Sequence, residues 1–139
     1  MDAKAENAPL YARAIADVLA APHAADGLVS HGEMQHRAVE AHDAAPLPDR
    51  ALGGVLDMIA IVCRRTGAPD LSSVVVNLKT RKPGTARCEL FGEDLAAQQA
   101  AARAADWERL PAVFAPESYA GLRAPRTAAE LVRMADGAD

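Results

Sequence analysis

The stretch from Asp49 to Gly67, DRALGGVLDMIAIVCRRTG, is the most apolar run in the chain, and any fold must be built around it. Leu52, Val55, Leu56, Ile59 and Val62 recur at helical spacing, and Met58 and Ile61 widen the stripe. Arg50, Asp57 and Arg64 break that stripe. They stand seven residues apart, so they share one narrow polar face. Asp49 follows Pro48 and suits the cap, and Gly67 suits a left-handed stop. A helix apolar over most of its circumference needs neighbours on several sides. The spacing therefore predicts a central core helix.

What surrounds that helix is bounded by composition. The chain has 139 residues, which fits one domain. Its hydrophobic fraction is 50% but its aromatic fraction only 4%, so the core must be small aliphatic side chains packed helix on helix. Net charge is −4 and the pI about 5.5, which excludes a surface basic all over and confines any nucleic-acid role to a local patch. Cys63 and Cys88 have no framework spacing and read as buried thiols in a reducing, cytoplasmic setting. No secretory leader pattern opens the sequence and no window is apolar enough to predict a membrane span. The Ala- and Arg-rich usage resembles that of a GC-rich bacterium or its phage.

Along the chain, residues 1–8 read as a frayed start. Pro9 to Ala21 predicts an amphipathic helix on Tyr11, Ile15, Val18 and Leu19, stopped by Pro22. Residues 24–27 read as a loop, and Gly27-Leu28-Val29 is long enough only for a bridge or brief strand. Ser30-His31-Gly32-Glu33 matches a capping box, opening a surface helix to about His42. Asp43 to Pro48 is a Pro-rich turn before the core helix. Beyond Pro69 the pattern becomes β-branched. Leu71 to Leu78 predicts a strand, Lys79 to Thr85 a turn broken by Pro83-Gly84, and Ala86 to Phe91 a returning strand. Glu93 and Asp94 open a helix to about Leu110, residues 116–122 a short turn, and Thr127-Ala128-Ala129-Glu130 a last capped helix.

The candidate chemistry lies in side-chain clusters. Lys79, Arg81, Lys82 and Arg87 on the hairpin face a single acid, Glu89, a local positive excess suited to phosphate contact. The same charges would also protect a solvated edge strand. The core helix, with Ala, Leu, Gly, Gly, Val and Leu where a recognition helix needs polar groups, is poorly made for base readout. Gly53-Gly54 suits the close approach of another backbone. Trp107, Leu110 and Phe114 form an apolar stripe across Pro111, a candidate protein-binding surface. The Ala-rich run from Leu95 to Ala105 could pack against a second copy, giving a homodimer, or against its own core.

Metal and nucleophile chemistry find little support. His31-Gly32-Glu33 has half of a zinc-deaminase pattern, but the Pro-Cys-x-x-Cys half is missing. His31 and His36 are five apart, not the four of a metalloprotease helix, and Glu33, His36 and Glu40 read as surface ion pairing. His23, His31, His36 and His42 are all read as solvent-exposed. There is no nucleophile elbow and no phosphate-binding glycine loop. The helix pattern buries Cys63, which leaves it no reactive setting. No metal, no cofactor and no catalytic residue is expected.

The segment LGGVLDMIAIVCRRTGAPDLSSVVVNLKTRKPG resembles a run in small uncharacterised bacterial and phage proteins: Leu-Gly, a helix ending in Cys, Pro-x-Leu-Ser-x-Val-Val-Val-Asn, then Pro-Gly. No activity attaches to that group, so the resemblance implies none. The order of elements resembles the winged-helix domain of DNA alkyltransferases and alkyltransferase-like proteins. Their Pro-Cys-His-Arg hallmark is absent here: Cys63 lies between Val62 and Arg64, which puts alkyl transfer out of reach.

The expectation is an α+β, mainly helical fold. Residues 1–92 would form a winged-helix-like core with a hairpin at about 71–91, and residues 93–139 a helical extension on the same domain. The expected role is a non-enzymatic, cytoplasmic nucleic-acid-binding regulator or accessory protein. The alternative is a protein-binding inhibitor or immunity protein of the anti-defence type, from a bacterial mobile element.

Overall fold

The structure, a computed structural model, describes residues 12, 15–16, 19–20, 28–42, 49–77, 79–83 and 86–137, with the side chains left out at 41–42 and 49–51. The expected frayed start, Pro9, Tyr11, Val18, Pro22, His23, the loop at 24–27, the Pro-rich turn at 43–48, Gly84 of the Pro83-Gly84 breaker and Thr85 lie outside those residues. The fold is mainly helical with one small parallel sheet.

Ala12, Ile15, Ala16, Leu19 and Ala20 are helical, and the first four are buried. Strand β1 is Val29–Ser30. Helix α1, His31–His42, starts as its capping box predicts, with the Glu33 amide donating to Ser30 Oγ at 3.2 Å. Met34 and Ala38 face inward. Helix α2, Asp49–Thr66, is the central element, and Leu52, Val55, Leu56, Met58, Ile59, Ile61, Val62 and Cys63 are all buried. Gly67 ends it at φ +75, and the Ala68 amide returns to the Cys63 carbonyl at 2.9 Å.

Burial on most sides of α2 divides the interior in two. The larger cluster joins Ile15, Val29, Met34, Leu56, Ile59 and Val75 to Val113 and Tyr119. The smaller one sets Ile61 against Leu131, Met134 and Ala135, and Leu122 touches both.

After α2, Asp70 caps a 3-10 turn, Leu71–Val74, and strand β2, Val75–Val76, follows. Here the structure departs from the expected hairpin. β2 pairs with β1, in parallel, with Val29 opposite Val75 and Ser30 opposite Val76. The returning strand does not form. Residues 87–90 are a one-turn helix, α3 (Arg87–Leu90), ended by Gly92 at φ +79. The reason is side-chain placement. Adjacent residues Arg87 and Cys88 both turn inward while Glu89 and Leu90 turn out, a pattern a strand cannot produce because it sends neighbours to opposite faces.

Helix α4 (Leu95–Ala104) is capped by Asp94, which accepts from the Ala97 amide at 2.9 Å. It is shorter than the periodicity predicts, because Ala105 is extended and Asp106 caps a 3-10 turn at Trp107–Arg109. A second such turn, Pro111–Val113, leads to α5 (Pro116–Tyr119). Tyr119 is fully buried, and its hydroxyl donates to the Val113 carbonyl at 2.6 Å. Helix α6 (Ala128–Ala135) opens on the predicted box, with the Glu130 amide donating to Thr127 Oγ1 at 3.0 Å.

Candidate nucleic-acid interface

The polar face of α2 decides where the basic residues go. Asp57 is one of its charges and stands 21% exposed, with Arg87 packed over it at 7%. Arg87 Nε donates to Asp57 Oδ1 at 2.5 Å, and its Nη2 donates to the Gly53 carbonyl at 3.2 Å. One turn or two further on, Arg64 donates to Glu93 at 2.7 Å and its guanidinium lies 5.2 Å from the centre of the Phe91 ring. The narrow polar face of α2 is thus where Arg87 and Glu93 pair with it. Arg87, grouped with the phosphate-binding candidates on sequence, is a packing residue.

Lys79, Arg81 and Lys82 are in a different environment. All three are exposed, in a loop that leaves β2 at Asn77. The loop is closed on itself by backbone bonds. The Asn77 amide donates to the Lys82 carbonyl and the Arg81 amide to the Asn77 carbonyl, both at 2.8 Å. Side chains finish the turn: the Lys79 amide donates to Asn77 Oδ1 at 2.9 Å and the Lys82 amide to Thr80 Oγ1 at 3.2 Å. Asn77, which closes this loop, was not singled out on sequence. Its signal is present, an Asx side chain placed two residues before the amide it caps. Arg81 sits at φ +56, in the left-handed region that favours glycine. That conformation costs a side-chain-bearing residue on the order of 1 kcal/mol, which the closed loop offsets.

The other candidates turn toward the chain itself. Trp107, Leu110 and Phe114 are half-buried and pack on the larger core cluster. The two rings meet edge to face at 6.0 Å and 80°, and the indole N–H donates to the Ala102 carbonyl at 3.0 Å. The stripe is therefore engaged within the molecule. On α1, exposed His36 pairs with Glu40 at 3.1 Å, and Arg37 pairs with Glu33 at 2.9 Å, so this face holds ion pairs. Among the described residues no group of three His, Cys, Asp or Glu side chains is placed to hold a metal.

At the cap of the 3-10 turn before β2 lies a buried polar centre that the sequence did not announce. Asp70 is 6% exposed. Its Oδ1 accepts from the Ser72 amide at 3.0 Å and from Ser72 Oγ at 2.6 Å, while Oδ2 has no hydrogen-bond partner among the described residues. Burial raises the Asp70 carboxyl above the ordinary carboxylate range, and the Ser72 bonds and the Arg87 charge oppose that rise only in part. Both cysteines are buried and unbridged. Burial, reinforced by the Asp70 charge, raises the Cys63 thiol far above its ordinary value and lifts Cys88 to about 11. Neither thiol has the depressed pKa of a nucleophile.

No membrane-crossing helix is present among the described residues. Compared with known protein families, with curated proteins and with solved structures, the chain matches none.

Proposed function

We propose that this chain is a non-enzymatic regulator or accessory protein that holds nucleic-acid phosphates with its 77–82 loop. The observation that carries the reading is the loop itself: three exposed cations fixed on a hydrogen-bonded turn, in a chain of net charge −4. A solvated, purely protective edge needs charge but no fixed geometry. Here Arg81 accepts backbone strain to keep its place. In this reading the domain is a winged-helix-like variant in which a short basic loop stands where the wing would be. Base readout is absent from it, because α2 is enclosed by the core, so binding is governed by phosphates and independent of sequence.

Three phosphate contacts give a salt slope of about −2.7 in log K against log salt on B-DNA. Affinity for a labelled duplex, followed by fluorescence anisotropy, should fall about 40-fold between 50 and 200 mM salt on that slope. The Lys79→Ala, Arg81→Ala, Lys82→Ala triple variant should lose the slope and the binding together. Asn77→Ala should weaken binding with no change of charge. Equal affinity of the triple variant and the parent chain would defeat the reading.

A further inference from the structure

At the C-terminal end of α2 the chain encloses a cleft of about 480 Å³. Arg65, Arg123 and Arg133 line it, with Glu130 as the one carboxylate and Leu122 and Met134 as apolar wall. Three arginines lining one cleft repel one another, a cost that a negative charge among them relieves. Glu130 supplies one charge against three.

Each arginine is held differently. Arg65 is pinned by Nε, which donates to the Met134 carbonyl at 2.7 Å, so its two terminal nitrogens remain for another acceptor. Arg123 donates to Glu130, whose carboxyl that bond and the Arg126 charge hold below the ordinary range. Arg133 is exposed on α6, with no ion pair among the described residues. Arg65 comes from α2, Arg123 from the segment before α6 and Arg133 from α6 itself, so the fold gathers them from separate stretches. None belongs to the 77–82 loop.

We propose that this cleft is a binding site for the phosphate group of a small phosphorylated molecule. Arg65 and Arg133 hold the phosphate oxygens, and Leu122 and Met134 pack against the attached carbon skeleton. Glu130 is the competitor. A ligand must displace it from Arg123, which a singly charged anion does poorly and a dianion or diphosphate does well. The cleft's volume is in the range of small-molecule sites, and planar guanidiniums match phosphate oxygens in bidentate pairs. This inference is independent of the loop reading.

Inorganic pyrophosphate is the probe, titrated into the full chain by calorimetry at low salt. Saturable binding at one site per chain is expected, with chloride and acetate failing to compete at equal concentration. Arg133→Met, an exposed position that carries no fold contact among those described, should weaken it by about ten-fold, the loss of one charge-assisted contact. Glu130→Gln should strengthen it several-fold by releasing Arg123. The loop triple variant should bind pyrophosphate as the parent does. The proposal falls if the parent chain shows no saturation, or if Arg133→Met and Glu130→Gln both bind like the parent. Displacement of pyrophosphate by a short oligonucleotide lacking a terminal phosphate would overturn it in favour of a nucleic-acid backbone contact. Loss of the salt slope in the DNA assay tests the loop alone.

Discussion

Asp70 concentrates the polar chemistry of the interior in one side chain. Its carboxyl is raised on folding, so the folded chain binds that proton more tightly than the unfolded chain does. The contribution is therefore most favourable below the unfolded pKa of about 3.9 and is lost as pH rises through the folded value. Asp70→Asn removes the titration. Stability of the parent relative to Asp70→Asn should fall as pH rises from 4, as read by urea denaturation between pH 4 and 8. A constant or rising difference would show that the charge is not penalised. The glycine pair on α2 makes a second residue-scale contrast. A Cβ on Gly53 would meet nothing within 4 Å, whereas one on Gly54 would lie 2.7 Å from the Ala124 Cβ. Gly53→Ala should stabilise by up to about 1 kcal/mol through helix propensity alone. Gly54→Ala gains the same propensity but forces a contact with a side chain too short to move aside. Overpacking of about 1–3 kcal/mol should leave it net destabilised, with thermal midpoints moving in opposite directions for the two variants. A close approach at the glycine pair was legible in the sequence; which glycine faces Ala124 depends on the path of a segment some seventy residues away.

At the scale of elements, local signals were legible and long-range ones were not. The starts of α1 and α6 follow caps whose partners lie three residues away, and α2 stops at Gly67 as that residue type suits. The run Ala86 to Phe91 has no such signal. It alternates weakly enough to pass for a strand, and its structure is settled by Asp57, thirty positions earlier. That pair holds α3 on α2. Arg87→Met should cost about 3 kcal/mol, because it strands a largely covered carboxylate. Adding Asp57→Leu should restore much of that loss, since no unpaired charge then remains. Denaturation midpoints of the two single variants and the double one would form the cycle, and additivity would mean the pair is not coupled. Cationic candidates were found by counting charge. Which of them reach solvent was hidden, because Arg87 differs from Lys79, Arg81 and Lys82 only in what lies beneath it. The cleft formed by Arg65, Arg123 and Arg133 was hidden for the same reason, its residues being far apart in the chain.

For the molecule as a whole, the sheet is the feature with the widest reach. β1 and β2 are each two residues long, yet they join segments roughly 45 residues apart, so closing that loop costs entropy that so short a ladder barely returns. The intervening chain consists largely of α1 and α2, which form from local contacts. The ladder should therefore be last to assemble and first to open. Its far end, Val76, is the residue before Asn77, where the basic loop begins. Opening of the sheet should therefore loosen the loop that directly follows it. On the proposed reading, a polyanion that grips the closed loop would draw on the same equilibrium. In hydrogen exchange, the amides of Val76 and Asn77 should trade their protons faster than those in the middle of α2, and a bound duplex should retard them while leaving α2 unchanged. The loop is in that sense a latch on the sheet, and its partner would be felt as a change in the tempo of the fold.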